Sequence, residues 1–371
     1  MGVSTEELAN RAAVIESLKT YSQTIAVKKQ GVVDRVLANE LAFSYTKANL
    51  FEDAIKKAFK GNQVNPSKYA LSKHTEPKDR IFNLLISYLH IGANLTEDEV
   101  GNTYGPIEER RRLAAVVRQA IEYKRQYREQ TVLRVHILGD VIHGVIHEPE
   151  GSATLTNQAG RAIRYLTAML EAFSSHFPKV EVSCLPGNHG RNPLKHPVHA
   201  YSQKSDSFEN MIYDSVKVAT QKLPNVFIAI PTNQYYTCSM FGKTAIFAHG
   251  DGALRIGSPG KAINTELAST IVNKYNSKVG DSSQKVFLAC IGHTHVASMF
   301  MLGCGATFIT NGALVPPDAF AIGINQPHNV NGQWLFESTR EHIVGDNRFI
   351  TIDDKVDGDK SLDTIIPACK Q

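Results

Sequence analysis

Five short clusters in this 371-residue sequence carry side chains able to bind metals or move protons. They are SYLHIG (87–92), GDVIH (139–143), GNH (187–189), AHGD (248–251) and GHTH (292–295). Together they offer His90, Asp140, Asn188, His249, His293 and His295. Imidazole combined with carboxylate and amide oxygen suits Mn, Fe, Zn or similar divalent ions rather than a soft thiolate site. Taken singly, each cluster also reads as ordinary structure. Gly-Asp and Gly-Asn pairs serve turns in most proteins, and a lone histidine at a strand end is usually a hydrogen-bonded structural residue. GHTH says more, because its glycine allows close backbone approach and residues at i and i+2 of an extended loop can reach two adjacent ions. The ordered set of five, each after an apolar run, argues against turns and caps alone.

Those side chains need strands to present them, and the sequence supplies the runs. From Arg80 onward, short apolar stretches alternate with long helical patterns. IFNLLIS (81–87), LRVHILG (133–139), VEVSCLPG (180–187) and VFIAI (226–230) read as strands. The stretches 106–130, 157–173 and 207–222 read as the helices between them. YYTCSMF, KTAIFAHG, VFLACIGH, SMFMLG, ATFITNG and RFITID follow as further strands. The early alternation and the β-rich second half predict an α/β fold: a two-sheet sandwich with helices outside. Ligands gather beyond the carboxyl ends of strands in open α/β sheets, so the five loops are expected to share one crevice. Trp334 and the stretch 325–332 read as a late loop without assignable chemistry. His136, on the strand before Asp140, reads as a core or interface residue.

Residues 5–60 have a different texture. Leu8, Ala12, Ile15 and Leu18 recur at helical spacing, as do Val33, Val36, Leu37 and Leu41, and then Leu50, Ala54, Ile55 and Phe59. This predicts an N-terminal helical region over 1–62, either a helix-turn-helix or an extension packed on the main domain or another subunit. Residues 63–78 are polar, contain two prolines and read as a linker. The main domain then spans 79–371.

Composition narrows the class. A hydrophobic content of 42% with 20% charged residues excludes wholesale disorder and a collagen-like fibre. No apolar run reaches the roughly 18 residues of a membrane span. The first thirty residues carry Glu6, Glu7, Arg11, Glu16, Lys19, Lys28 and Lys29 with no apolar block, unlike a signal peptide. Five widely spaced cysteines read as reduced thiols, so a cytoplasmic location is expected. The formal charge of +4 is unevenly placed. Residues 1–75 hold eleven Lys and Arg against seven Asp and Glu, whereas the rest of the chain holds 29 of each. The basic surplus suits an anionic partner or a solvated face.

The order of the clusters resembles the calcineurin-like metallophosphoesterases. Their pattern runs D-x-H, G-D, G-N-H, a lone His, G-H-x-H. It is matched here by YLH (88–90), GD (139–140), GNH (187–189), His249 and GHTH (292–295) across about residues 80–350. The resemblance implies an α/β sandwich holding two divalent ions about 3–4 Å apart that hydrolyses phosphate esters by in-line attack of water. His90, Asp140 and His295 would hold the first ion. Asp140 would bridge to the second, shared with Asn188, His249 and His293. His189 would stabilise or protonate the leaving oxygen. Manganese is the first expectation, with Mg, Fe or Zn as alternatives.

Two positions depart from that pattern. Tyr88 stands where the family has aspartate, and a phenol with a pKa near 10 is a poor ligand for a hard cation. The first ion should bind weakly and turnover should fall. An introduced inactivating change, a natural degenerate site and a working tyrosinate ligand all remain open. Gly190 follows GNH where an acidic residue is usual. GNHGR resembles a phage-type subgroup, and His143 resembles a position occupied by histidine in the DNA-repair-nuclease branch.

For the substrate, Arg191, Lys195, His196, His199 and Lys204 lie just past His189, and Arg255 and Lys261 follow His249. Arg191, Lys195, Arg255 and His143 are the candidate substrate-binding residues; the first three also read as solvated loop, and His143 as a structural hydrogen-bonding residue. The leading expectation is a metal-dependent nuclease or phosphodiesterase acting on DNA, impaired by Tyr88. The alternatives are a small-nucleotide phosphatase or phosphodiesterase, and a catalytically inactive DNA-binding or assembly protein. DNA is the expected partner, with a homodimer and no membrane. The location would be the host cytoplasm if the chain is phage-encoded.

Overall fold

Three apolar runs become adjacent parallel strands because each is buried on both faces, which is where near-continuous apolar sequence is stable. They are β1 (Arg80–Ile86), β2 (Val132–Ile137) and β3 (Val180–Cys184). Ile81 pairs with Val132 and Ile86 with Ile137, and Leu133 pairs with Val180. The computed structural model describes residues 80–126, 131–146, 152–192, 204–252, 264–277, 284–318, 330–352 and 359–367, with Arg35 and Ile322 as single positions. The chain divides into two compact units, Met1–Asp53 and Ala54–Gln371. The expected N-terminal helices and linker lie outside the described residues, as do Lys195, His196, His199, Arg255, Lys261 and Cys369.

β4 (Val226–Ala229) extends the sheet beyond β3 in parallel. On the other side β10 (Gly332–Thr339) runs antiparallel to β1, and β11 (Asn347–Thr351) antiparallel to β10. The order is β11-β10-β1-β2-β3-β4. The second sheet has the order β5-β6-β7-β9-β8. Its strands are β5 (Tyr235–Met240), β6 (Lys243–Ala248), β7 (Val286–Ile291), β8 (Ser298–Met301) and β9 (Thr307–Thr310). β6, β7 and β9 are parallel, with an antiparallel strand at each edge. The helices are the single-turn α1 (Glu97–Val100), α2 (Pro106–Arg125), α3 (Leu155–Ser174), α4 (Phe208–Ala219) and α5 (Thr265–Asn276). No described helix is long and apolar enough to cross a membrane.

The fold is thus the expected α/β arrangement of two sheets with flanking helices. Period-two alternation shares out the core. Ala245 and Phe247 of β6 join Leu85, Leu138, Leu185, Leu288, Cys290, Ile309 and Phe336 in one cluster fed by both sheets. Ile246 and Ala248, facing the other way, pack with Ala268 and Val272 of α5. His136 is indeed a core residue, stacked 3.6 Å from Phe247 with Nδ1 2.8 Å from Ser183 Oγ.

One expectation fails. Trp334 is not in a loop but in β10, beside β1. The strand was hidden by its polar residues, which find partners only through tertiary pairing. Asn83 Nδ2 donates to Ser338 Oγ at 2.9 Å, and Arg80 pairs with Glu337 at 2.6 Å. Trp334 Nε1 donates to the Thr310 carbonyl at 3.1 Å, and this ties β10 to β9.

Candidate metal centre

The five loops do converge beyond the strand ends, and the backbone there is unusual. Among the described residues six non-glycines adopt positive φ: Tyr88, His90, Asp140, His293, His295 and Phe241. All but Phe241, which sits in the turn between β5 and β6, belong to the motif loops. A left-handed residue with a Cβ costs on the order of 1–2 kcal/mol, and such strain persists only where neighbours over-determine it. Here the neighbours are backbone groups. Tyr88 N–H donates to Gly139 O at 3.3 Å, His90 N–H to Asp140 O at 3.1 Å, and Ile91 N–H to Val141 O at 2.9 Å. The Tyr88 carbonyl accepts from Leu314 and Val315. Gly187 allows the third loop to lie against Asp140, because a Cβ there would overlap the carboxylate.

Asp140, Asn188 and His249 form the tightest part of the site. His249 Nδ1 lies 2.6 Å from the Leu138 carbonyl oxygen, which requires the proton on Nδ1. Its Nε2 then faces Asn188 Oδ1 at 2.9 Å and Asp140 Oδ2 at 3.2 Å. Asp140 Oδ2 is buried and takes no hydrogen bond. Three acceptors aimed at one another are stable only around a proton or a metal cation. Burial lowers the His249 pKa and Asp140 raises it; the carboxylate wins, and the imidazole sits above its ordinary value. Burial works against the charge of Asp140 too, but His249 and His189 hold its carboxyl well below the usual range. His293 packs beside His249, with ring centroids 5.1 Å apart. Burial and then His249 push the His293 pKa down to about 4, so the ring is neutral at pH 7. This donor set fits a divalent cation.

Tyr88 occupies the other end. Its ring stacks 5.4 Å from His90 and lies edge-on 3.8 Å from His295. Its hydroxyl is 3.5 Å from His293 Nδ1. The side chain is buried with Ala93, Leu95, Tyr104, Ala313 and Val315. Burial, then the Asp140 carboxylate, push the phenol well above its ordinary pKa. Burial likewise lowers His90 well below its usual value and His295 to about 3.

His90, His143 and His189 form a third grouping. His90 Nδ1 is 3.2 Å from His143 Nδ1, and the rings of His90 and His189 are 4.3 Å apart. His189 N–H donates to Asp140 Oδ1 at 2.9 Å, and its Nδ1 lies 2.8 Å from the His143 carbonyl oxygen. Arg191 follows on the same loop and bridges to Ser207.

Sequence reading missed the side chains that hold the loops from behind. Glu209, fully buried in the first turn of α4, accepts from Val141 N–H at 2.5 Å and from Gly187 N–H at 2.6 Å. It therefore clamps the Asp140 and Asn188 loops together. A Cβ at Gly190 would collide with Glu209 Cγ, so the carboxylate from α4 fills the room a side chain at 190 would need. Gln158 of α3 accepts from Gly144 N–H at 2.7 Å, and Glu109 of α2 accepts from Gly92 N–H at 2.7 Å. Burial raises Glu209 and Glu109 to about 7 each. In the sequence these look like polar residues on amphipathic helices. The glycine at 190 was the one visible trace of Glu209.

No family model matches the chain, and no curated protein does. Among solved structures it is similar to a conserved uncharacterized protein from Streptococcus pneumoniae, described as a predicted phosphoesterase. That pair has 11% identity and a TM-score of 0.29, covering 74% of this chain and 99% of the other. A dimetal phosphatase from Danio rerio shows 13% identity and a TM-score of 0.34, with 74% and 100% covered. Vps29 from Chaetomium thermophilum shows 11% identity and a TM-score of 0.30, with 73% and 98% covered.

Proposed function

We propose that this protein is a metal-dependent phosphoesterase that cleaves DNA phosphodiesters and is impaired at one of its two ion positions by Tyr88. The observation that carries the reading is the convergence of Asp140, Asn188 and His249, whose acceptors meet within 2.9–3.2 Å with Nδ1 of His249 already committed to a carbonyl. Divalent ions bound there, manganese first, would supply a water of lowered pKa and offset the charge on the phosphoryl oxygens.

The chain's own residues do the rest. Asp140 and Asn188 orient the ion-facing oxygens, and His293 adds a neutral imidazole. His189, with Nδ1 tied to the His143 carbonyl, presents Nε2 to the leaving oxygen. At the other end Tyr88 brings a neutral phenol and a bulky ring between His90, His295 and His293, where a carboxylate would have accepted an ion. Arg191 beside His189 and the basic surplus of residues 1–75 support a polyanionic substrate.

The test is cleavage of labelled duplex and single-stranded DNA with manganese, run for the Tyr88 chain and Tyr88→Asp, with bound metal measured in parallel. Cleavage that rises with metal content in Tyr88→Asp is expected. Hydrolysis of small nucleotides without DNA cleavage would replace the DNA reading by a nucleotide phosphatase. DNA binding without any turnover in either form would replace it by a binding protein. Unchanged metal and turnover in Tyr88→Asp would remove the impairment.

A further inference from the structure

We propose that His90, His143 and His189 form a binding site for one zinc-class ion, distinct from the Asp140–Asn188–His249 grouping but sharing His90 with the expected first-ion set, and that its occupancy switches off the phosphoesterase by engaging His189. The site itself stands on geometry; only the inhibition rests on the function proposed above.

A nitrogen from each of the three imidazoles lies within 4.8 Å of the other two, and these are the residues so grouped among the described His, Cys, Asp and Glu. The closest pair is already at coordination spacing. Two imidazole nitrogens bound to one zinc at about 2.0–2.1 Å in a tetrahedral arrangement stand about 3.3 Å apart; Nδ1 of His90 and Nδ1 of His143 are 3.2 Å apart. With one ring donating and the other accepting, this contact is an ordinary hydrogen bond, and the same spacing suits two nitrogens on one ion. Nε2 of His90 is buried and has no hydrogen-bond partner. An unpartnered buried ring nitrogen is costly.

His189 is prepared in the way metal-binding histidines usually are. Its Nδ1 is held by a backbone carbonyl, that of His143 itself, which leaves Nε2 as the ligand nitrogen. His90 and His189 are buried, whereas His143 is partly exposed. The third arm is the one partly open to solvent, and water or an anion would complete the coordination.

The chemistry of the donors selects the ion. Three neutral imidazoles without a carboxylate favour zinc, copper or nickel over magnesium and manganese. The Asp140–Asn188–His249 end, richer in oxygen, has the opposite preference. With tyrosine at 88 the His90 end lacks the carboxylate that the family pattern supplies there, and Nδ1 of His90 lies 3.2 Å from Nδ1 of His143. Zinc would then inhibit while manganese activates.

The experiment uses the full chain carrying Asn188→Ala and His249→Ala, which disables the oxygen-rich end. Zinc alone is the probe, with equilibrium dialysis for stoichiometry and X-ray absorption to count imidazoles. Cobalt(II) substitution supplies the visible spectrum. One equivalent with three imidazoles is expected, and His143→Ala added to this background should weaken binding at least tenfold. Thermal melts of each variant establish folding, and X-ray absorption on the His143-containing form reads the ligand set even if His143→Ala does not fold. No zinc bound, or an equivalent that lacks imidazole or ignores His143→Ala, overturns the site. Separately, zinc should inhibit manganese-dependent cleavage less in His143→Ala with the other residues natural. Zinc binding with no cleavage under any metal would leave the site standing and remove the phosphoesterase reading.

Discussion

The two ends of the crevice share Asp140 and differ in nearly everything else. At one end Asn188, His249 and Asp140 turn their acceptors toward one point, and the arrangement is complete only with a cation. At the other end Tyr88 packs an uncharged ring among imidazoles. Yet both ends keep the same backbone signature: φ is 56° at Tyr88, 40° at His90 and 54° at Asp140, against 65° at His293 and 59° at His295. The strained loop geometry has backbone partners that do not involve the side chain of residue 88. It is imposed by the ladder of backbone hydrogen bonds between the loops and by Glu209, Gln158 and Glu109 behind them. A substitution at position 88 is therefore expected to leave the frame that aims the other candidate ligands in place.

Asp140 is the joint between the ends, so Asp140→Asn should have the largest effect. Bound divalent metal should fall at both ends, and hydrolysis should drop by about 10²–10³-fold or more. Dialysis and turnover measured together check this; loss of only one ion would show that the ends are not coupled through Asp140.

Glu209→Gln should come next. Glutamine offers one acceptor where Val141 N–H and Gly187 N–H need two. One amide is left unsatisfied, at about 1–3 kcal/mol. Metal affinity at the Asn188 end should fall about 10–100-fold, as for other groups that orient ligands indirectly. Denaturant unfolding and metal titration read the two effects. An unchanged affinity would mean that the loops are held without the clamp.

Acid should expose a shared property of both ends. With no metal, His293 and His295 titrate in the folded protein at about 4 and about 3, whereas an unfolded histidine titrates near 6.5. As pH falls below about 6.5 the unfolded chain takes up protons first, so stability is lost between there and about pH 4. Glu209 and Glu109, raised to about 7, act in the opposite sense and gain stability as pH falls from 7 to about 4.5. The histidines, joined by His90 and His136, which burial also lowers, should outweigh them. Melting temperature against pH measures the net sign, and Glu209→Gln should steepen the loss. The smallest effect belongs far from either end: Met301→Lys on the exposed edge strand β8 (76% exposed) should change stability by less than about 0.5 kcal/mol and metal affinity not at all.

The strands and the order of the polar clusters were readable because they are local. β1 and β2 announce themselves as apolar runs, and each candidate ligand follows its own strand within a few residues. β10 was not readable, since Gln333, Glu337 and Ser338 look like loop residues until Asn83 and Arg80 stand opposite them. The clamps were hidden for a similar reason. Glu209 lies 68 residues from Val141 along the chain, and its partners are backbone amides, which every residue has.

What the sequence determined by itself, then, was the succession of strand ends, the donor types they carry and the anomaly at Tyr88, because those follow from residue identity and short-range spacing. Only the tertiary structure decided that His90 faces His143, that Glu209 takes the room beside Gly190, and that the phenol of Tyr88 lies buried and uncharged. Those facts depend on which distant groups exclude water from one another, and burial of that kind has no local code.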